Sequence, residues 1–450
     1  MDRIPPEIKN QIIRLAGTNE DDVLTSEPFP LASLPQYATV SREWQEHVER
    51  ITFSTLHLDP CRLAKAKEII TPSRQSFVRK IEFSAWSSNG PSSSTSSEQN
   101  NADGEESIEQ QANANSKHFT EQLHSLLNYL NGWNVAQGEF ELLIAGRENG
   151  RNTINNLQAD IYRQLPKNHF ITKFTHQCWF HRKELQLSPK ACCEVASLFP
   201  NLRSIMYLLA PTFEDDAAQI QSRVDFAAAL ALIPASVRSF SLMYRHRYDR
   251  YNGNTPLSPL FPSGEPDPLS VALRRLSTQL EYADLSAVID SELFFGTGMN
   301  SEETHWPRMR DVIVKGGVRT PGGGRFFYTD SVSGRTVPIQ EAVNRYYLAS
   351  GRAAAVMRNL RTLFIFWPQP QPHPIHLRYC VSKETTEADL VVFDTYPDGA
   401  ELELDQDAEK TWLMAAKERF GAGGSCILNS EVHCAHGIPR LATTHFSGNG

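Results

Sequence analysis

The sequence predicts a mixed α+β or α/β repeat chain: a short N-terminal module of three helices followed by an irregular helix–strand solenoid. Three observations predict it. Apolar residues recur at helical spacing through residues 1–60. A short pattern, apolar-Arg-x-apolar-x-apolar, recurs five times along the rest of the chain. Most copies follow a helical segment and a turn, and such a unit cannot bury its apolar face without a neighbour. At 450 residues, with 40% hydrophobic and 10% aromatic side chains, the chain is long enough for two or three domains.

The N-terminal elements come first. Pro5 and Pro6 sit where a helix can begin, and Ile8, Ile12, Ile13 and Leu15 build one apolar helical face up to Gly17. An acidic loop, residues 18–27, leads to a second helix over 31–38. A third starts near Ser41, a good N-cap, and carries Trp44 and Val48 at i, i+4. Phe53, Leu56 and Leu58 alternate as a short exit strand. Residues 62–76 read as helix and 77–83 as a period-2 strand. Residues 87–117 hold only one large apolar side chain, Ile108, too little to offset the entropy of ordering, and are expected to be a disordered insertion. Phe119, Leu123, Leu126, Leu127 and Leu130 then form a helical stripe, and 140–144 a strand.

The recurring pattern occurs at Val78–Phe83, Leu202–Tyr207, Val237–Leu242, Met309–Val314 and Leu360–Ile365, with a weaker relative in Leu273–Leu285. Its last four residues make a strand with one inward face. The arginine is expected outside the inner row, where the strand begins, paired with an acid or a carbonyl. Two insertions read as long loops: 248–268 and 320–338, the latter with a hairpin turn between Val318 and Phe326. The expected organisation is a helical module over 1–60, a first helix–strand unit over 61–86, the insertion over 87–117, the repeat domain over 118–420 and a flexible tail over 421–450.

The bulk numbers exclude several classes. No run approaches the roughly 18 apolar residues of a membrane span, and the first residues show no signal or transit pattern. A cytoplasmic or nuclear location with no membrane partner is expected. The net charge of −8 argues against nucleic acid as a partner. Seven scattered cysteines read as free thiols rather than a disulfide framework.

Little catalytic chemistry is legible. Gly322–Gly324 lacks the spacing of a phosphate-binding loop. His176, Cys178 and His181, with Cys192 and Cys193 downstream, invite a zinc reading. The same segment alternates as a strand with Phe174, His176, Cys178 and Phe180 on one side, which favours core. Cys426, Cys434 and His436 form a looser set. The acidic pairs Asp21-Asp22, Asp215-Asp216 and Glu302-Glu303 lie in polar stretches and read as solvated. No nucleophile–base set is recognisable, so no catalytic residue, metal or cofactor is assigned.

The first residues resemble an F-box. That family opens on L-P-x-E-[IL] and closes on V-[CS]-[KR]-x-W. Here Ile4-Pro5-Pro6-Glu7-Ile8 and then Ile12 match the opening, and Val40-Ser41-Arg42-Glu43-Trp44 the close. Ile4 stands for the usual leucine, and the acidic loop lengthens the gap after the first helix. The whole chain resembles fungal F-box-like proteins with leucine-rich-repeat-like C-terminal regions. The resemblance implies a non-catalytic substrate receptor of an SCF ubiquitin ligase. Ile4, Pro5, Ile8, Ile12 and Trp44 would pack the module or face a Skp1-like adaptor and, through it, a cullin complex. The repeat domain would hold a protein substrate. Two readings compete: a repeat protein for protein–protein interaction with no ubiquitin link, and a metal enzyme built on the His176–Cys193 region.

Overall fold

The computed structural model describes residues 42–85, 104–133, 138–145, 153–154, 157, 162, 164–177, 186–209, 215–244, 259–261, 265–295, 305–317, 319–329, 332, 336–367, 375–381, 387–394, 405–420, 425–432 and 440–446. The chain divides into two compact units, Met1–Arg147 with Leu157–Thr175, and Glu148–Asn156 with His176–Gly450. The division falls near residue 175, not at the expected boundaries of 60, 117 and 420.

In the first unit, helix α1 (Arg42–Thr52) leads into strand β1 (Thr55–Leu58), then α2 (Pro60–Ile69), α3 (Pro72–Gln75) and β2 (Lys80–Phe83). Helix α4 (Gly104–Asn131) precedes β3 (Glu141–Ala145). β1, β2 and β3 are parallel and in register, starting at Thr55, Lys80 and Glu141. β5 (Lys173–Gln177), which comes after β4 (Thr153–Ile154) of the second unit, lies beside β3. The α4 stripe Phe119, Leu123, Leu126, Leu127 and Leu130 is fully buried, as its spacing requires. Val48 on α1 is 2% exposed, so this helix is part of the unit's core, and β1 joins its sheet. Most of the expected three-helix module, residues 1–41, lies outside the described residues.

Within the expected insertion at 87–117, residues 104–117 are helical, because α4 begins at Gly104, and the remainder lies outside the described residues. Glu105, Glu106, Glu109, Gln110, Gln111 and Ala112 are good helix formers. A helix nucleated by the buried stripe propagates through them at little cost.

The second unit carries β7 (Ser204–Leu209), β8 (Ser239–Tyr244), β9 (Tyr282–Ala287), β10 (Asp311–Gly316) and β13 (Thr362–Trp367) as successive parallel neighbours. Between them run α5 (Pro189–Ala196, before β7), α6 (Asp216–Ala229), α7 (Pro268–Ser277) and α8 (Gln340–Val356). Two short pairs stand apart, β4 with β6 (Gln186–Leu187) and β11 (Phe327–Thr329) with β12 (Thr336–Pro338). The turn expected before Phe326 is present as an Arg319–Arg325 bridge around Gly323, whose φ is 83°. β14 (Ile375–Val381) is antiparallel to β13. β15 (Glu387–Asp394), helix α9 (Gln406–Phe420), β16 (Ser425–Val432) and β17 (Arg440–Phe446) complete the chain, with β14 to β17 adjacent in order. The tail expected at 421–450 therefore contains two paired strands.

Helix starts obey local chemistry. Ser188, Asp215, Asp267 and Asp405 each accept a backbone N–H three residues on, satisfying an orphan donor of the first turn. Pro189 and Pro268 fill the first helical position. Strand starts are equally regular. The Arg203 carbonyl accepts from Arg238 N and Ser239 N, the Arg238 carbonyl from Glu281 N and Tyr282 N, and the Arg310 carbonyl from Arg361 N and Thr362 N. Each strand thus begins in the register of the last.

Burial alternates strictly along β8, β10 and β13. A sheet covered on both faces would instead show continuous burial. Successive right-handed crossovers in one direction place their helices on one face. On that face Phe240, Val312, Leu363, Val314, Ile365 and Trp367 form the core. Among the described residues no helix is long and apolar enough to cross a membrane.

Candidate interaction face

The other face of the second unit's sheet is only half-buried. Three rows of side chains cross it, fixed by the register of β7 to β14. The first is Ser204, Ser239, Tyr282, Asp311, Thr362 and Cys380. The second is Met206, Ser241, Asp284, Ile313, Phe364 and Arg378. The third, through β13, is Leu208, Met243, Ser286, Lys315 and Phe366.

The rows divide by chemistry. Serines, methionines and Leu208 occupy β7 and β8, and Met206 is 38% exposed. Charges occupy the middle, where Lys315 Nζ lies 3.1 Å from an Asp284 oxygen. Tyr282 stands beside them. Burial, then the Asp284 and Asp311 carboxylates, hold its phenol above the usual range. On β13, the Phe364 and Phe366 rings stack at 6.2 Å with 15° between planes, flanked by Ile313 on β10 and the exposed Arg378 on β14. Aromatic residues with a neighbouring arginine are the composition of interface anchors.

Beneath this face lies an ionic network. Arg223 on α6 donates from Nε and Nη2 to the two Asp267 oxygens at 2.7 and 2.6 Å, and from Nη2 to the Val288 carbonyl at 2.6 Å. Asp267 also accepts from Ser270 N and Oγ. Burial alone would raise the Asp267 carboxyl, but the Arg223 charge and these hydrogen bonds hold it below the usual range. Nearby Asp290 is pushed up to about 6 by burial and by the Asp267 carboxylate. Tyr346, also raised by burial, lies within the field of Asp290. This network ties α6, α7 and the segment after β9 together from the inside. Its carboxylates face buried partners, which suits fastening rather than proton transfer to a substrate.

Of the residues assigned from sequence, Ile4, Pro5, Ile8 and Ile12 lie outside the described residues. Trp44 is half-buried on α1. The far end of α1 is fastened by Glu49, which accepts from Arg74 Nη2 at 2.6 Å and Nε at 3.2 Å. Those hydrogen bonds, against opposing burial, hold the Glu49 carboxyl low. Cys178, His181, Cys434 and His436 also lie outside the described residues. His176 is buried on β5, its Nε2 accepting from Leu187 N at 3.3 Å. Cys192 and Cys193 are buried in α5, where burial pushes the Cys193 thiol up. Among the described residues no group of three His, Cys, Asp or Glu is placed to hold a metal ion.

Sequence reasoning did not find the sheet rows or the Arg223–Asp267 pair. Strand register and a pairing 44 residues apart have no local signal. No protein-family model, curated protein or solved structure matches the chain.

Proposed function

We propose that the chain is a non-catalytic F-box-type adaptor, the substrate-recognition subunit of an SCF ubiquitin ligase. Its N-terminal residues Ile4, Pro5, Ile8, Ile12 and Trp44 would hold a Skp1-like adaptor and its cullin complex. The open sheet face would hold a protein substrate. The observation that carries the second half is one-sided burial: a parallel array whose other face presents Phe364, Phe366, Ile313 and Arg378. The first half rests on the V-S-R-E-W close and the matching opening. A helix–strand array with one covered face is also consistent with a leucine-rich-repeat-like domain.

A second reading has its own support. Val48 and the Glu49–Arg74 pair root α1 in the first unit's core. This suits a helical cap on an interaction protein with no ubiquitin link. Affinity purification with quantitative mass spectrometry separates the two. Under the adaptor reading, Ile8→Asp/Trp44→Asp loses the Skp1-like protein and cullin but keeps other partners. Retention of both at wild-type levels would leave only the cap.

A further inference from the structure

The five residues immediately before the parallel strands of the second unit, Arg203, Arg238, Glu281, Arg310 and Arg361, form one continuous rung. Arg238 N donates to the Arg203 carbonyl at 2.8 Å, Glu281 N to Arg238 at 2.7 Å, Arg310 N to Glu281 at 2.8 Å and Arg361 N to Arg310 at 2.6 Å. Arginine occupies four of the five positions. Two further arginines, Arg308 and Arg358, lie in the turns just before Arg310 and Arg361, and Asn359 Nδ2 bonds the Pro307 carbonyl at 2.6 Å to join those turns. Against these six stand Glu281 and Asp311, with Glu194 in the last turn of α5 before Arg203. The edge is thus strongly basic in a chain whose formal net charge is −8.

Arginines near helix C-termini commonly answer the last carbonyls and the helix dipole. Here only Arg238, among the described residues of the edge, donates to carbonyls, and these belong to the turns beyond the helices: Ala235, Val237 and Gln279. Arg310 reaches Glu281 at 3.7 Å, with side chains 50% and 39% exposed. Arg203, Arg308, Arg358 and Arg361 are exposed and make no side-chain hydrogen bond or ion pair among the described residues. The edge is also held in shape. Ser236 Oγ bonds the Pro200 and Leu202 carbonyls, and Gln279 Nε2 the Pro234 carbonyl, so neighbouring turns are strapped together. A strapped backbone edge sets the spacing at which its arginines stand, and exposed guanidinium forks suit recognition of carboxylates.

We infer that this arginine edge is a docking surface for an acidic, carboxylate-rich segment of a partner protein, laid across the strand starts. Four inter-strand steps of about 4.8 Å give a row of about 19 Å, the reach of about six extended residues. The acidic net charge of the whole chain would repel a long polyanion at distance, which favours a short acidic peptide over nucleic acid. The inference deepens the reading of the second unit as a partner-holding scaffold and does not depend on the N-terminal helices.

The test is fluorescence anisotropy of a labelled deca-glutamate peptide titrated with the full chain. A neutral deca-glutamine peptide and a single-stranded oligonucleotide serve as competitors. Saturable binding is expected, weakened roughly tenfold between 50 and 300 mM salt. Arg358→Glu/Arg361→Glu should weaken it at least about tenfold, and the paired lysine substitutions by about threefold, because charge without the fork recovers part of the interaction. Arg79→Glu, exposed in the first unit, should leave it unchanged, and unaltered thermal melts confirm folding of each variant. No saturable binding, binding indifferent to the Arg358/Arg361 reversal, or displacement by the oligonucleotide as effective as by the acidic peptide overturns the inference. Each of these can occur while a Skp1-like protein still binds, so this failure is distinct from failure of the adaptor reading.

Discussion

Replacing Asp267 with alanine should cost the second unit a large part of its stability. Arg223 is 0% exposed at its side chain and Asp267 2%. Among the described residues, removing the carboxylate leaves a buried guanidinium with only the Val288 carbonyl, its Nη1 having no partner already. Breaking one side of such a pair costs about 3–5 kcal/mol, and losing the α7 cap adds about 1 kcal/mol. Against a typical stability of about 5–15 kcal/mol, that is about a quarter or more. Arg223→Met/Asp267→Leu removes both charges and should cost far less, because apolar packing replaces the pair without stranding an ion. Urea unfolding followed by circular dichroism at pH 7.5, with the double-mutant cycle, measures both. A cost below about 1 kcal/mol for Asp267→Ala, or a double variant as unstable as the sum of the singles, would show that the pair is not the fastening described. The sign with pH is fixed. Asp267 is depressed in the fold, so its contribution is present above the unfolded value of about 3.9 and is lost as pH falls through the lower folded value.

Three further outcomes are expected. Asp290 runs the other way: its folded value of about 6 exceeds the unfolded one, so its own contribution to stability declines as pH rises from about 4 to 6. Asp290→Asn keeps the acceptor for Glu292 N and should gain about 2–3 kcal/mol at pH 7.5, a gain that shrinks toward pH 4.5 in parallel urea titrations. Gly316→Ala would place a Cβ 2.6 Å from Trp367 Nε1. Trp367 is wedged among Phe326, Tyr346 and Tyr347, so a loss of about 1–3 kcal/mol and a shifted tryptophan emission are expected. Phe364→Ser/Phe366→Ser should leave the melting temperature within a few degrees of wild type, because both rings lie on the half-buried face, yet should remove protein partners that wild type retains on affinity resin.

Legibility depended on whether the signal was local. Val78, Leu202, Val237, Met309 and Leu360 announced five strands, and each is buried where its strand begins. The strands β3, β5 and β9 were harder to group with them because Phe140, Thr172 and Glu281 fill the slot that arginine holds elsewhere. The repeat is defined by backbone register, which does not depend on the side chain in that slot: Phe140 is buried there, whereas Arg203 and Arg361 are exposed. Residues 104–117 misled through composition alone, since helix propagation needs neither apolar side chains nor a core of its own. The open face could be anticipated in kind but not named, because which Ser, Phe or Asp lies beside which depends on pairing 29 to 51 residues apart along the sequence. The arginine edge was half visible: the arginines were seen to recur where strands begin, but only register places them in one line.

Isothermal titration of a purified Skp1-like protein into the full chain tests most directly whether the N-terminal residues dock an adaptor while the sheet serves a different partner. A saturable one-to-one isotherm is expected, weakened at least about a hundredfold by Ile8→Asp and unchanged by Phe364→Ser/Phe366→Ser. An isotherm indifferent to Ile8, or abolished by the sheet substitutions, would contradict that division of labour.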